Sequence, residues 1–372
     1  MYLNSFSIRG FRNLKEQRWT FPRQTHFIFG DNAQGKTNLL EMIYFLCLTK
    51  SFRTSEDQEC LSHQQNHFLL EACFIDESQL EHSLQVSYQP GAGKSIHLDG
   101  KPLHRSSELI GRFPVIKLSQ EDLEITSGPP HQRRRFCNIL LSQVSVRYLG
   151  LLKEYERIVK QRNCILKKGL NDRSVAGAGV EIWDGPLMNK AAAISDLRGK
   201  MVDELNPLLQ EYYQKFTGKG DILTLEYLPD VAARRDESYA AAFQRRLNHC
   251  RWQEYQRGIT LIGPHRDDFK FFINGKELRL FGSSGEHKSV AVCLKAAEGV
   301  LIRRTLDRLP IVLLDDLYAE LDWDRGERAL HLFSSDLQCF VTGTSFDYQA
   351  LQPLLPSSGQ VLWMRAGALE RL

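Results

Sequence analysis

The most chemically informative residues lie at 30–37, where the sequence reads G-x-x-x-x-G-K-T, a complete phosphate-binding motif. An apolar run at 25–29 that predicts a strand precedes the motif, and a helical pattern at 38–46 follows it. A glycine-rich turn between a strand and a helix directs backbone N–H groups at an anion, and the helix dipole adds partial positive charge. Lys36 would then reach the β- and γ-phosphates, and the Thr37 hydroxyl would ligate Mg²⁺. The sequence therefore predicts a nucleoside triphosphate site that comprises Gly30, Asp31, Asn32, Ala33, Gln34, Gly35, Lys36 and Thr37.

A second apolar run, at 311–314, ends in the acid pair Asp315 and Asp316. We predict a buried strand beside the strand of the phosphate-binding motif, with Asp315 reaching the Mg²⁺ held by Thr37. Asp316 would face the γ-phosphate and position or deprotonate the attacking water. The alternative is a solvated acidic turn after a core strand. The phosphate-binding motif in the same chain favours the catalytic interpretation.

Three further segments narrow the class of protein. Ser283 and Gly285 stand before a predicted helix, where a hydroxyl and backbone N–H groups could bind an anion; a simple helix cap is the alternative. Leu321-Asp322 follows the acid pair by a few residues. Another apolar strand ends in the hydroxyls of Thr342 and Thr344.

The composition is that of an ordinary globular protein. The 372 residues are 42% hydrophobic and 25% charged, which is enough chain for two domains or lobes. The net charge of +3 is too small to indicate a polyanionic partner by itself. No apolar run approaches the roughly 20 residues that span a bilayer, and the N-terminal residues lack a signal-peptide core. Eight scattered cysteines without a C-x-x-C pair favour reduced thiols, so we expect a cytoplasmic protein.

Periodicity divides the chain into an α/β part and a helical part. Strand patterns fill much of the first 125 residues and return after residue 258, where Asn274-Gly275 predicts a hairpin. After Pro129-Pro130, apolar residues at helical spacing predict several long helices. We therefore predict an α/β fold with a mixed sheet around the phosphate-binding motif at 1–125 and 258–372, and an inserted, mainly helical lobe at 126–257.

Basic residues are concentrated at the start of the helical part. Between Pro129 and Lys168 there are ten arginines or lysines and two glutamates. This charge density suits contacts with DNA phosphates, and no base-reading motif accompanies it, so we expect recognition of DNA form rather than sequence. A solvated helix surface is the alternative, and the arginines at 133–135 could equally pair with the nucleotide or with Asp122. The candidate DNA contacts are Arg133, Arg134, Arg135 and Arg147.

His265, Arg266, Asp267 and Asp268 form a cluster that resembles a catalytic site. A His-x-Asp spacing could hold a metal, yet no further ligand cluster lies nearby in the sequence. We favour structural ion pairs over a place near the nucleotide.

The ordered motifs resemble the ABC-type ATPase head, and the whole chain resembles the RecF family of bacterial DNA-repair ATPases. The resemblance spans nearly the full length in one order. The stretches that carry it are Phe11-Arg12-Asn13, Asn38-Leu39-Leu40-Glu41, Ser51-Phe52-Arg53-Thr54, Glu121-Asp122-Leu123, Arg133-Arg134-Arg135-Phe136, Gly263-Pro264-His265-Arg266-Asp267-Asp268, Leu314-Asp315-Asp316 and Glu320-Leu321-Asp322.

The resemblance implies a head that binds Mg²⁺ and ATP and dimerises with two nucleotides between protomers. Ser283 and Gly285 would contact the nucleotide of the partner, although Glu286 departs from the family signature by adding a negative charge. It further implies binding to gapped, single- and double-stranded DNA, cooperation with RecR and RecO, indirect work with RecA, and slow hydrolysis. The other implied nucleotide contacts are Arg12, Asn13 and Asn38, and Gln120 could contact the metal or the water.

Two functions of different classes stay open. One is a DNA-repair ATPase whose turnover switches a dimeric clamp, and the other is a nucleotide-gated scaffold with negligible hydrolysis. An ABC-transporter ATPase subunit is a third, which the long helical insertion disfavours.

Overall fold

The computed structural model describes residues 1–171, 179–321, 323–334, 336–344, 348 and 359–371. The chain folds into two compact units. Unit 1 consists of Met1–Glu124, Tyr212–Lys219 and Ser284–Leu372, and unit 2 of Ile125–Glu211 and Gly220–Ser283. None of the helices in the described part of the chain combines the length and apolarity needed to cross a membrane.

The strands fall into three sheets. Within the described residues they are β1 (Tyr2–Arg9), β2 (Gln17–Thr20), β3 (Thr25–Phe29), β4 (Phe68–Ile75), β5 (Glu81–Gln89), β6 (Gly93–Leu98), β7 (Lys101–Pro102), β8 (Val115–Leu118), β9 (Leu223–Leu228), β10 (Asp268–Ile273), β11 (Lys276–Glu277), β12 (Ile311–Leu314), β13 (Cys339–Gly343), β14 (Gln360–Arg365) and β15 (Ala368–Arg371).

The helices of the described residues connect these strands and build most of unit 2. They are α1 (Lys36–Leu48), α2 (Glu124–Ser127), α3 (Pro130–Val144), α4 (Val146–Asn171), α5 (Asp184–Thr217), α6 (Tyr239–Arg257), α7 (Leu278–Phe281), α8 (Ser284–Leu306), α9 (Leu317–Glu320) and α10 (Trp323–Ser334).

The central sheet of unit 1 has the order β15-β14-β3-β13-β12-β8. The strands from β14 to β8 run parallel, and β15 is antiparallel at one edge. Every residue of β3, β8, β12 and β13 is buried, as expected for a parallel sheet covered on both faces.

The predicted adjacency of β12 and the phosphate-loop strand β3 is wrong, because β13 lies between them and pairs with both. An apolar run predicts a buried strand, but neighbours in a parallel sheet depend on the crossover connections, which apolar runs do not specify. Strand β13 brings Thr342 to the carboxyl edge of the sheet, where its hydroxyl donates to Asp315.

The second sheet of unit 1 is antiparallel, with the order β2-β1-β4-β5-β6-β7. Its β4–β5–β6 meander follows the alternating apolar pattern of the sequence, and β4 alternates buried and more exposed residues along its length.

Unit 2 contains α3, α4, α6, α7, the part of α5 up to Glu211, and a three-stranded sheet with the order β11-β10-β9. The Asn274-Gly275 turn joins β10 to β11, as its sequence indicates. β9 has no counterpart in the sequence analysis, and it pairs along its full length with β10. Residues 258–283 group with unit 2, whereas the sequence pattern predicted them as part of the head.

Candidate nucleotide-binding site

The phosphate-binding motif forms a loop between β3 and α1 that closes around its own lysine. The Nζ of Lys36 donates hydrogen bonds to the carbonyl oxygens of Gly30, at 2.9 Å, and Asp31, at 3.0 Å. Lys36 is buried, and it opens the first turn of α1. A cation held only by backbone carbonyls keeps its charge available for an anion at the helix N-terminus.

Glycine is required at both ends of this loop. Gly30 and Gly35 have φ angles of 157° and 114°. A Cβ at Gly30 would overlap the carbonyl oxygen of Met364, and one at Gly35 would lie 2.9 Å from Oδ1 of Asn13. Between them, Ala33 adopts a left-handed φ of 62°, which a residue with a side chain holds only when the surroundings enforce it.

Two hydroxyls converge on the first acid of the Asp315-Asp316 pair. The hydroxyls of Thr37 and Thr342 both donate to Oδ1 of Asp315, at 3.1 Å and 2.8 Å. Thr342 also accepts the backbone N–H of Asp316, at 2.8 Å. Burial, aided by the charge of Asp316, raises the pKa of the Asp315 carboxyl, while the two hydroxyls oppose the shift.

The Thr37 and Asp315 oxygens fit a magnesium ion, because Mg²⁺ takes hard oxygen ligands. The described residues contain no group of three or more His, Cys, Asp or Glu side chains that could hold a metal. A metal at Thr37 and Asp315 would therefore draw its remaining ligands from phosphate and water, as is usual for magnesium at triphosphate sites.

Asp316 lies at the candidate site and has an unusual backbone conformation. Its φ of 47° and ψ of 43° put it in the left-handed region directly before α9. Non-glycine residues rarely adopt this conformation, which is concentrated at functional sites.

A cavity of about 900 Å³ opens over the loop within unit 1. It extends along the segment after β1 and the turn before β4, and Asp316 lines it. The residues of the phosphate-binding motif that line it are Asn32, Ala33, Gly35, Lys36 and Thr37. The other predicted nucleotide contacts that line it are Arg12, Asn13 and Asn38.

A chain of side-chain hydrogen bonds from Arg53 through Asn38 to Asn13 crosses one wall of this cavity. Arg53 donates to Oδ1 of Asn38, at 2.7 Å, and Asn38 donates to Oδ1 of Asn13, at 2.7 Å. Asn13 in turn donates to the carbonyl oxygen of Ala33, at 3.3 Å. These bonds tie the loop to the segment after β1. In the sequence, Ser51-Phe52-Arg53-Thr54 carries only a family resemblance, and no local pattern predicts this role of Arg53.

Arg12 is held in the cavity wall by a buried carboxylate. Its guanidinium donates to both oxygens of Glu41, at 3.0 Å and 2.7 Å, and to the carbonyl oxygen of Glu59, at 2.6 Å. The Glu41 side chain is fully buried on α1. Arg12 is therefore fixed to the same helix that follows the phosphate loop.

Gln120 does not join this arrangement. It is exposed in a short 3-10 helix, Gln120–Leu123, that follows β8, and it is absent from the described residues that line the cavity. The structure gives no geometric support for a contact between Gln120 and the metal or water.

A network of buried charges, which the sequence did not predict, lies at the short helix Gln120–Leu123. The Nζ of Lys117 lies 2.9 Å from Asp122, and Lys295 on α8 lies 2.9 Å from Glu298 and 3.7 Å from Asp122. The two lysines lower the pKa of Asp122 although burial opposes this, and burial raises the pKa of Glu298. Of the two lysines, Lys117 is therefore the closer partner of Asp122.

The Ser283-x-Gly285 segment opens helix α8. Gly285 lies in the first turn of α8, and its carbonyl oxygen accepts from the Ser289 hydroxyl, at 2.8 Å, and from Arg325, at 3.3 Å. A Cβ at Gly285 would lie 2.6 Å from a guanidinium nitrogen at the end of the flexible Arg325 side chain. Asp322 lies outside the described residues.

The four candidate DNA contacts differ in exposure. Arg133 is 3% exposed, and it donates to both oxygens of Asp268 and to the carbonyl oxygen of Gly128. Because its guanidinium is buried and paired, Arg133 is removed from the DNA-binding set. Arg134 is half-buried and donates to the carbonyl oxygen of Asp267, whereas Arg135 and Arg147 are exposed.

The His265–Asp268 cluster makes structural contacts inside unit 2. Buried Arg198 pairs with Asp267 at 2.6 Å, and Tyr227 also donates to this carboxylate. His265 lies 2.6 Å from the Tyr155 hydroxyl and 3.0 Å from the Thr260 carbonyl oxygen, and burial lowers its pKa. This is the arrangement expected of structural ion pairs.

Comparison with known proteins gives a consistent result. The family model of the RecF/RecN/SMC N terminal domain matches residues 2–351. The DNA replication and repair protein RecF of Chloroherpeton thalassium is 35% identical over 350 residues, which cover 92% of this chain and 95% of that protein. The protein of the same name from Rippkaea orientalis is 32% identical over 384 residues and matches 100% of both chains.

Solved structures agree with these relatives. The recombination mediator protein RecF with ATP, in the RecFOR pathway, superposes with a TM-score of 0.88 at 28% identity, covering 100% of this chain and 97% of that chain. An Smc head bound to the C-winged helix domain of ScpA has a TM-score of 0.56 at 14% identity, which shows the fold alone. The fold is therefore the predicted ABC-type ATPase head of the SMC class, with additional helices.

From the family model, the relatives and the fold, the chain belongs to the RecF family of DNA replication and repair proteins.

Proposed function

We propose that this protein binds ATP with Mg²⁺, dimerises in the ATP state, binds gapped DNA and helps to load a RecA-type recombinase at single-stranded gaps. It would act in the cytoplasm with RecR- and RecO-type mediators and hydrolyse ATP slowly. The observation that carries the proposal is the convergence of Lys36, Thr37, Asp315 and Thr342 at one edge of the parallel sheet.

Each residue of this convergence has a distinct role in the proposal. Lys36 gives its charge to the β- and γ-phosphates, and the N–H groups at the start of α1 donate to them. Thr37 and Asp315 hold the metal, which supplies charge neutralisation at the phosphates. Asp316 orients the attacking water and accepts its proton.

For DNA, the exposed residues of α4 support contact with the phosphate backbone. The residues at 153, 157, 160, 167 and 168 recur at helical spacing, so they share one face of the helix. All five are exposed lysines or arginines: Lys153, Arg157, Lys160, Lys167 and Lys168. We assign this face, with Arg135 and Arg147 as further exposed candidates and Arg134 as a partly buried one, to sequence-independent DNA binding.

A scaffold with negligible hydrolysis is the second candidate. Glu286 places a carboxylate in the first turn of α8, next to Gly285. A negative charge there disfavours a closely approaching phosphate, which would slow turnover while leaving nucleotide binding in place.

The test measures assembly and turnover on the same samples. Gel filtration with and without ATP is run at several concentrations, and hydrolysis is measured with and without gapped duplex, for the wild type and Asp316→Asn. The ATPase proposal expects ATP-dependent dimers in both proteins and hydrolysis reduced about 100-fold or more in the variant. Dimers without measurable hydrolysis in the wild type would establish the scaffold instead, and no ATP effect on either readout would refute both.

A further inference from the structure

The hairpin turn between β14 and β15 packs against the phosphate-binding loop. β14 runs parallel to β3, with Trp363 opposite Phe29 in the register, so its carboxyl end emerges beside the loop. The turn consists of Ala366 and Gly367, with φ angles of 46° and 83°. Positive φ at both positions identifies a tight two-residue hairpin turn.

Backbone groups of this turn bind the middle of the phosphate loop. The Ala366 N–H donates to Oε1 of Gln34, at 2.5 Å, and the Gly367 N–H donates to the carbonyl oxygen of Gln34, at 2.9 Å. The side chain and the backbone carbonyl of Gln34 therefore both accept hydrogen bonds from the hairpin turn. Ala366 also lines the cavity over the loop.

The same turn holds the segment after β1, which forms another wall of the cavity. The carbonyl oxygen of Gly367 accepts the backbone N–H of Lys15, at 2.9 Å, and the side chain of Gln17, at 3.1 Å. A Cβ at Gly367 would overlap the carbonyl oxygen of Asn13. Gly367 is thus constrained by its backbone angle and by its neighbour.

We propose that the β14–β15 turn positions the phosphate loop, with Gly367 and Gln34 as positioning residues for nucleotide binding. The turn holds Gln34 in place next to Ala33, whose left-handed conformation needs external support. It also holds the backbone of Lys15, two residues after Asn13, and the Asn13 side chain donates to the carbonyl oxygen of Ala33. This inference rests on the proposed binding of ATP at the same loop.

The chain offers a matched control for the key variant. Gly100 occupies the second position of the Asp99-Gly100 turn between β6 and β7, with φ angles of 51° and 73° that nearly equal those of the Ala366-Gly367 turn. A Cβ at Gly100 would meet no atom within 4 Å. Gly367→Ala and Gly100→Ala therefore impose nearly the same local backbone strain. Only Gly367→Ala also places a methyl group against the carbonyl oxygen of Asn13.

The experiment compares the wild type, Gly367→Ala, Gly100→Ala and Gln34→Ala. ATP affinity is measured by calorimetry with magnesium, and amide hydrogen exchange of residues 30–37 is measured without nucleotide. We expect Gly367→Ala to weaken ATP binding about tenfold or more and to speed exchange in the loop, because small displacements of a binding loop have large effects. Gly100→Ala should match the wild type in both readouts.

Gln34→Ala keeps the test decisive if Gly367→Ala does not fold. It removes the acceptor of the Ala366 N–H and should weaken ATP binding several-fold and speed loop exchange. Wild-type-like binding and exchange in the folded variants would overturn the inference. If the wild type binds no ATP, the proposed function fails, while the exchange data still decide whether the turn holds the loop.

Discussion

The nucleotide site of unit 1 and the ion-pair cluster of unit 2 use similar residues in different ways. In unit 1, Lys36 bonds to backbone carbonyls, and Asp315 accepts only hydroxyls among its side-chain partners named above. In unit 2, Arg198 and Asp267 are each 1% exposed and pair with one another. Charges held by weak neutral partners can exchange them for a ligand, whereas a closed ion pair stabilises the fold and has little to offer a ligand.

A second closed pair in unit 2 supports this distinction. Arg162 and Glu254 are fully buried and bond to each other at 3.1 Å and 3.2 Å, and Arg162 also binds Asp184. Arg162 belongs to the same basic segment as the exposed residues of α4. Basic residues in one helix therefore serve packing or surface charge, depending on the face they occupy.

The largest predicted effect concerns the buried ion pair between Arg198 and Asp267. Arg198→Met should lower the free energy of unfolding by about 3–5 kcal/mol, because it leaves the Asp267 carboxylate buried without its cation. Lys200→Met, on the same helix, should change it by less than about 1 kcal/mol, since Lys200 and its partner Asp196 are exposed. Urea unfolding measures both. Equal effects of the two substitutions would contradict the structural role given to Asp267.

The second prediction concerns Lys36, whose backbone carbonyl partners can be exchanged for a phosphate. Lys36→Met should weaken ATP binding about 100-fold, because a charge-assisted contact to phosphate is lost, while the fold is retained. Displacement of a fluorescent nucleotide measures the affinity, and circular dichroism checks the fold. Lys50→Met, an exposed lysine just after α1, is the control and should bind like the wild type. If the two variants bind equally well, the lysine does not contact the nucleotide.

The third prediction concerns the pH dependence that burial creates in β3. Burial lowers the pKa of His26 from 6.5 to about 4, against the hydrogen bonds to Pro22 and Gln360. Because the unfolded chain binds the proton more readily between these two values, stability falls as the pH drops below 6.5. The loss is up to about 1.4 kcal/mol per pH unit.

His26→Gln should remove this part of the pH dependence. The comparison is the slope of unfolding free energy against pH between 6.5 and 4.5, measured by chemical denaturation. Identical slopes for the wild type and the variant would mean that His26 titrates alike in the folded and unfolded states.

The smallest predicted effect concerns the exposed face of α4. Arg157→Ala and Lys160→Ala should each weaken DNA binding a few-fold and reduce the salt slope of the binding constant by about 1. Lys200→Ala on α5 serves as an exposed control. Fluorescence anisotropy with gapped duplex at several salt concentrations measures both quantities. A slope unchanged in the α4 variants would remove this face from the DNA contacts.

The sequence predicted which residues meet at the candidate site better than it predicted the order of the strands that carry them. The motif at 30–37 and the acid pair at 315–316 identified Lys36, Thr37 and Asp315, because these spacings are local and specific. The role of Thr342 as a bridge to Asp315 depends on β13 lying between β3 and β12, and strand order is not encoded in local spacing.

The distinction between Arg133 and Arg135 could not be predicted from composition. Both belong to one run of three arginines, yet helix α3 buries the first against Asp268 and exposes the third. Asp268 is more than 100 residues away in the sequence, so the pairing appears only in the folded chain. Contacts between the β14–β15 turn and Gln34 are similarly distant, and they involve backbone groups that carry no sequence signal.

Calorimetric titration of ATP with magnesium into the purified wild-type chain tests the central claim most directly. The arrangement of Lys36, Thr37 and Asp315 predicts one nucleotide bound per chain, with affinity that falls when magnesium is chelated. No heat of binding at any magnesium concentration would contradict the account.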